Sequence, residues 1–203
     1  MKVAIIGGCA KKSDGVLELG REWHIWGVNA CWPEWLMRSY IRLDKWFHLH
    51  RRAELKDEIP EHLEAFEKWC LAHDEIEIVL LEMWENLPKA TIFPRDEVRR
   101  IGRGDYHCGS FDWMVAYAIL LGVEEIYLAG IKLHTESGEP QSSGPCLEYW
   151  CGFAEARGIK ITTSPSCDLF YNWHLVKSHY VYGYDKWDLI EDRTAAADAQ
   201  VST

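Results

Sequence analysis

The chain predicts an α/β domain on a mostly parallel sheet, and three features carry that expectation. Short, continuously apolar runs such as Lys2–Ile6 have the length and composition of strands covered on both faces. Segments with helical spacing separate those runs, and strands alternating with helices pair in parallel through crossover connections. A length of 203 residues, with 48% hydrophobic residues and eleven tryptophans, suits one domain able to bury a large core.

The elements follow in chain order. Lys2–Ile6 is the first strand and stops at Gly7-Gly8. A short helix over residues 13–20 follows, with Ser13 or Asp14 as its cap. Residues 24–28 form the second strand, ending at Asn29, and Pro33 suits the first turn of a helix reaching Met37. Residues 41–49 mix β-formers with alternation and read as a third strand. Pro60 opens a surface helix on which Leu63, Phe66 and Cys70 recur with helical spacing while Glu61, Glu64, Glu67 and Lys68 face out. Residues 75–80 are the fourth strand. From Glu82 to Gly104, with Pro88, Pro94 and two late glycines, the chain reads as an irregular loop suited to lying over a site. Ser110 then caps a helix whose Trp113, Tyr117, Leu120 and Leu121 form one apolar stripe. Gly122 ends it, and residues 125–130 follow as a strand. A last helix over residues 146–157 closes at Gly158 and feeds a strand at 159–162. The sum is a Rossmann-like three-layer domain over residues 1–190 with five or six strands. A small polar tail over 191–203 is expected to be disordered.

A formal charge of −10 argues against an extended nucleic-acid-binding face, although Arg51-Arg52 and the arginines from Arg95 to Arg103 could supply local basic patches. The seven cysteines are odd in number and include no C-x-x-C pair, which favours reduced core thiols over a disulfide framework. No apolar run approaches membrane length, and the one at the start is too short for a signal peptide. The expectation is a cytoplasmic protein without a membrane partner, and a homo-oligomer is compatible with all of this.

In open parallel sheets ligands gather beyond the carboxyl ends of the strands, so the residues just after each strand are the candidates. Gly7 and Gly8 permit close approach of the backbone to a phosphate, or serve only as a tight turn. Neither a dinucleotide fingerprint nor a Walker A loop is present. Asn29 follows the second strand. Gly109 and Ser110 open a helix, where free amides and the dipole favour an anion unless Ser110 is only a cap. His48 and His50 point to one side of a strand, as metal ligands can, but no third ligand stands at a diagnostic spacing and no metal is assigned. His107 and His134 flank the predicted site, and His179 precedes Tyr180. The reading takes Gly7, Gly8, Asn29, Gly109 and Ser110 as ligand-binding residues and His50, His179 and Asp168 as acid–base candidates.

The block CGSFDWMVAYAILLGVEEIYLAGIKL at 108–133 resembles the serine-initiated helix and following strand of Rossmann-like proteins related to 6-hydroxymethylpterin diphosphokinase of the MptE type. More distantly it is similar to sialyltransferase-like nucleotide-sugar enzymes. VAIIGG, WGVNA, WFHLH and Phe93-Pro94 fall in the expected order. With EYWCGFAEARGIKI at 148–161 and SPSCDLF at 164–170, they look most like a group of small bacteriophage proteins. Two departures stand out. The family's Gly-Val-Asp is here Gly130-Ile131-Lys132, and the first loop, GGCAKKSD, lacks the common Gly-Pro-Ser. The resemblance implies the fold and a pocket for a nucleotide or nucleotide-sugar, working in the host cytoplasm if the chain is phage-encoded. Three functions remain open: a transferase moving a glycosyl or diphosphate group from a nucleotide-activated donor, a non-catalytic protein that sequesters a nucleotide, and a virion or assembly protein that keeps the fold.

Overall fold

The apolar runs pair as strands with both faces covered. In the computed structural model, which describes residues 1–29, 42–54, 60–133 and 139–170, the strands are β1 (Lys2–Ile6), β2 (Trp23–Val28), β3 (Lys45–His48), β4 (Glu77–Leu80), β5 (Thr91–Ile92), β6 (Glu125–Ala129) and β7 (Lys160–Thr163). The helices are α1 (Pro60–Ala72), α2 (Arg95–Val98), α3 (Ser110–Leu120) and α4 (Glu139–Glu155). One seven-stranded sheet results, in the order β5-β4-β3-β2-β1-β6-β7. Every pairing in it is parallel. The sheet exceeds the expected five or six strands because the stretch after Glu82, expected to be irregular, contributes edge strand β5 and then the short α2.

Successive side chains of a strand leave on opposite faces, and the core divides accordingly. Val3, Ile5, Trp26, Phe47, Ile126 and Leu128 pack on one face with Met114 and Val115 of α3 and Leu147 and Trp150 of α4. Ala4, Ile6, Ile25, Trp46, Ile78 and Leu80 pack on the other with Leu63, Phe66 and Cys70 of α1. Trp26, Trp46, Trp84 and Trp150 are each at most 1% exposed. Burying an apolar side chain of Val to Phe size contributes about 1.5–3 kcal/mol, so these rings and their neighbours dominate the core. At the amino ends of the strands, Glu125 receives Lys2 at 3.0 Å and Lys160 at 2.7 Å, tying β1, β6 and β7.

Three local expectations are corrected. Residues 13–20 form two 3₁₀ turns, Lys12–Asp14 and Val16–Glu18, broken by Gly15 at φ 69°. Asp14 is buried there, accepting hydrogen bonds from Lys11 N–H at 2.6 Å and from Ser166 N–H and its hydroxyl. On α3 the stripe 113, 117, 120, 121 is not the buried face. Leu120 and Leu121 are 39% and 41% exposed, whereas Met114, Val115, Ala116, Ala118 and Ile119 are buried. The helix packs on β1, α2 and α4 together, so most of its circumference is covered and no single stripe marks it. α4 starts at Glu139 rather than at Cys146, with Pro145 inside it. The helix expected after Pro33, the domain limit at 190 and the tail lie outside the described residues. Among the described residues no helix is long and apolar enough to cross a membrane.

Candidate functional site

The chain leaves β1 toward β2 on one side and leaves β6 toward β7 on the other, although β1 and β6 are neighbours. Loops diverging in this way open a crevice beyond the carboxyl ends of the strands, where open α/β sheets bind ligands. On the β2 side the crevice is bounded by Asn29, in the left-handed conformation at φ 57° that asparagine tolerates better than most residues. Its backbone is fixed: the amide donates to Phe47 C=O at 2.8 Å, and the carbonyl accepts Trp46 Nε1–H at 3.0 Å. Its side-chain Oδ1 accepts from Ser110 Oγ at 3.4 Å.

Ser110 does not cap α3, contrary to the sequence reading. Gly109, in extended conformation, holds the cap position, and Ser110 is the first helical residue, which leaves its hydroxyl to the crevice. The first turn is secured instead by Asp112 from the third helical position. Asp112 Oδ2 accepts Cys108 N–H at 2.8 Å and Gly109 N–H at 2.9 Å, while Oδ1 pairs with His107 Nδ1 at 2.9 Å. The His107 ring is stacked between Trp113, 3.6 Å away between ring centres, and Trp150, at 4.7 Å. The His107 and Asp112 side chains are both buried, at 3% and 1% exposure. Asp112 thus takes the amides of Cys108 and Gly109. Those of Ser110 and Phe111 remain as first-turn donors without an intrahelical partner.

Across the crevice, Gly130 follows β6 at φ 67°, and a Cβ there would lie 1.9 Å from the Ala10 nitrogen. Gly7 is the other half of this close approach, since a Cβ on it would lie 2.5 Å from Gly130 C=O. The amide of Gly7 donates to Ala129 C=O at 2.7 Å, that of Cys9 to Gly130 C=O at 3.0 Å, and that of Ala10 to Gly7 C=O at 3.2 Å. Gly7 therefore seats the first loop against β6. Gly8 is exposed beside it.

These parts enclose a cleft of about 270 Å³. Asn29 and His50 line it from the ends of β2 and β3, residues 108–112 from the start of α3, Lys132 and Leu133 from the turn after β6, and Ser143 and Leu147 from α4. Of the eight predicted site residues, the structure brings Asn29, His50, Gly109 and Ser110 together here, and Gly7 and Gly8 do not line it. Asp168 has a different place: its Oδ1 accepts Leu133 N–H at 2.7 Å and its amide donates to Ile131 C=O at 3.1 Å, bracing the turn that carries Lys132. His179 and His134 lie outside the described residues.

Behind His50, His48 is 2% exposed, with its ring centre 5.5 Å from that of His50 and 4.7 Å from that of Phe66. Burial, and secondly the neighbouring His50, push its pKa down to about 4. Among the described residues no group of three or more His, Cys, Asp or Glu is placed to hold a metal ion. A larger cleft of about 450 Å³ lies among Cys70, His73, residues 75–78 and residues 87–90, at the amino end of β4. It sits at the amino edge of the sheet, the wrong edge for a ligand of this architecture, so the smaller cleft is the candidate.

Two charged residues of the cleft, Lys132 and Asp112, are not among the site residues taken from the sequence, although Lys132 stands among the residues just after a strand. Lys132 was legible, two positions past the glycine that ends β6, but only as an acidic residue lost and not as a cation gained. Asp112 had the signal of an acid at the third position of a helix, a capping arrangement that the reading assigned to Ser110.

No family model and no curated protein matches the chain. Solved structures do. The sialyltransferase CstII in complex with a trisaccharide acceptor and CMP matches with a TM-score of 0.54 and 19% identity, covering 83% of this chain and 82% of that one. The monofunctional α-2,3-sialyltransferase Cst-I from Campylobacter jejuni matches at 0.55 and 15% identity, covering 82% and 76%. CstII from Campylobacter jejuni with cytidine-5'-monophosphate matches at 0.51 and 18% identity, covering 82% and 80%. At such identities the likeness is one of fold: this chain has the Rossmann-like α/β architecture of those proteins over most of its length.

Proposed function

We propose that the protein is a transferase acting on a nucleotide-activated donor, foremost a nucleotide-sugar, with the 270 Å³ cleft as the donor site. The observation that carries this reading is convergence. Ser110 at the α3 amino terminus, Asn29, Lys132 and His50 line one cleft at the edge of the sheet where such folds bind nucleotides, with the Ser110 hydroxyl bonded to the Asn29 carboxamide. The roles follow from the chemistry. The Ser110 and Phe111 amides, the Ser110 hydroxyl and Lys132 hold the phosphate and stabilise the charge it gains as the sugar–phosphate bond breaks. Asn29, fixed in its backbone, orients the nucleoside side. His50 takes the proton of the attacking acceptor hydroxyl, the work an imidazole does best near neutral pH.

The fold shared with sialyltransferases whose structures hold CMP supports a nucleotide-sugar donor. Diphosphate transfer, which the resemblance to MptE-type proteins raises, is the weaker reading because Lys132 replaces the acid that such a site would use. On the resemblance of residues 148–170 we place the protein in a bacteriophage setting, acting in the host cytoplasm.

The test is calorimetry and nucleotide-release assays with a panel of CMP-, UDP- and GDP-sugars. Lys132→Ala removes a charge-assisted hydrogen bond worth about 1.5–3 kcal/mol and should weaken donor binding roughly 10- to 100-fold. His50→Ala should bind the donor normally and lose turnover by about 10²- to 10⁴-fold. Binding without turnover, with every acceptor tried, would leave the sequestering reading. A wild type that binds no donor would overturn the proposal in favour of an assembly role.

A further inference from the structure

Cys108 and Cys146 are distant in sequence but meet at the lip of the cleft. Cys108 is exposed, in the loop that Asp112 pins ahead of α3. Cys146 is 1% exposed, on α4. Their sulfurs are 3.2 Å apart, with the Cys146 thiol donating to Cys108 Sγ. A disulfide needs about 2.05 Å, so bond formation asks the pair to close by roughly 1 Å, within reach of a residue at the end of an exposed loop. We propose that Cys108 and Cys146 form a dithiol modification site, oxidised to an intramolecular disulfide by a low-molecular-weight disulfide of the glutathione class.

The two sulfurs differ as a two-step exchange requires. Burial, together with Cys108 and Asp112 beside it, pushes the Cys146 thiol up to about 12, so the first attack falls to Cys108 and Cys146 gives up its proton only as it attacks in the second step. Cys108 is the sulfur a reagent can reach. Its thiolate attacks one sulfur of the oxidant, forming a mixed disulfide and releasing one glutathione thiolate. Cys146 then attacks Cys108 Sγ, the second glutathione thiolate leaves, and the two protein thiol protons end on the two glutathiones. The protein loses two electrons and the oxidant gains them. Burial raises the thiols of Cys70, Cys151 and Cys167 as well, and none of them is exposed.

The bond would fasten the α3 lip of the cleft to α4, where Ser143 and Leu147 form the opposite wall. The site stands on thiol geometry alone, so its test does not depend on donor binding. The full chain is incubated with oxidised glutathione, remaining thiols are blocked, and peptides are mapped without reduction. We expect a Cys108–Cys146 cross-linked pair, an intact mass lower by two hydrogens, and reversal by dithiothreitol. In Cys146→Ala the reaction should stop at a glutathione adduct on Cys108. Cys108→Ser, at an exposed position, should form neither cross-link nor adduct on Cys146. A wild type that accumulates the Cys108 adduct as Cys146→Ala does, that pairs Cys108 with another cysteine, or that does not react would overturn the proposal.

Discussion

Asp112 offers the sharpest test of how the cleft is built. Asp112→Ala strands two backbone amides, of Cys108 and Gly109, and the Nδ1 of His107. Hydrogen bonds to a charged acceptor contribute about 1.5–3 kcal/mol each, but their loss is not simply additive. Cys108 is exposed, so its amide can find water, whereas the His107 side chain is 3% exposed between two tryptophans and cannot. Breaking such a buried network should cost about 3–5 kcal/mol. For a domain of this size that is a fall in Tm of roughly 6–20 °C. Asp112→Asn separates charge from shape. The carboxamide oxygen can occupy the Oδ2 position and keep both amides, but its NH₂ then faces His107 Nδ1, which must become the acceptor. That tautomer carries its proton on Nε2, which is buried and has no hydrogen-bond partner among the described residues. The Asn variant should therefore lose about 1–3 kcal/mol, more than a bystander and less than Ala. Urea denaturation followed by circular dichroism reads both, as a lower midpoint at unchanged slope. An Ala variant with the wild-type midpoint would mean that the network does not hold the α3 start.

Two further predictions concern the core and its protonation. His48 in the fold has a pKa of about 4, below its ordinary 6.5, so between these values the unfolded chain binds more protons and stability falls on acidification. At about 1.36 kcal/mol per pH unit, wild type should lose up to about 3 kcal/mol more than His48→Phe between pH 6.5 and 4, and equal losses would refute the assignment. On α3, Met114→Ala should cost about 2–5 kcal/mol and Leu120→Ala less than about 1, and the reverse order, measured by denaturation, would restore the stripe read from the sequence.

Strand positions were legible because a parallel strand covered on both faces is a short apolar run bounded by turn residues, as in residues 2–6 and 125–129. α1 was legible because only one of its faces is buried. The span of α3 was legible from Ser110 and Gly122, but its buried face was not, because a helix packed on several sides loses the polar face that gives helical spacing its contrast. The 3₁₀ turns after β1 were read as helix since Ser13 and Asp14 look like caps. Only the fold shows that the Asp14 carboxylate turns inward to Ser166, more than 150 residues along the chain. At the candidate cleft, the rule that ligands sit beyond the strand ends pointed to Asn29 and His50, and the helix-start argument to Ser110, all of which line it. It could not distinguish a glycine that approaches a ligand from one that approaches its own sheet, which is what Gly7 does.

The charge distribution adds a constraint on what the cleft holds. An anionic donor meets a chain of formal charge −10, and at physiological ionic strength interactions beyond about 8 Å are largely screened. Its hold must be local. The amides just upstream of α3, which together with the helix dipole would make the strongest anion site, are already occupied by the Asp112 carboxylate. On the proposed function, a phosphate would thereby be displaced toward Ser110 and Lys132, and the lysine would carry most of the charge complementarity. Affinity should then depend steeply on Lys132 and fall with added salt. Asp112→Asn should tighten phosphate binding while it weakens the fold, because it removes a like charge from the cleft wall. Opposite signs for one substitution, read by calorimetry and by denaturation on the same sample, separate this account from one in which Asp112 serves only to stabilise the helix. A variant that loses stability and affinity together would favour the latter.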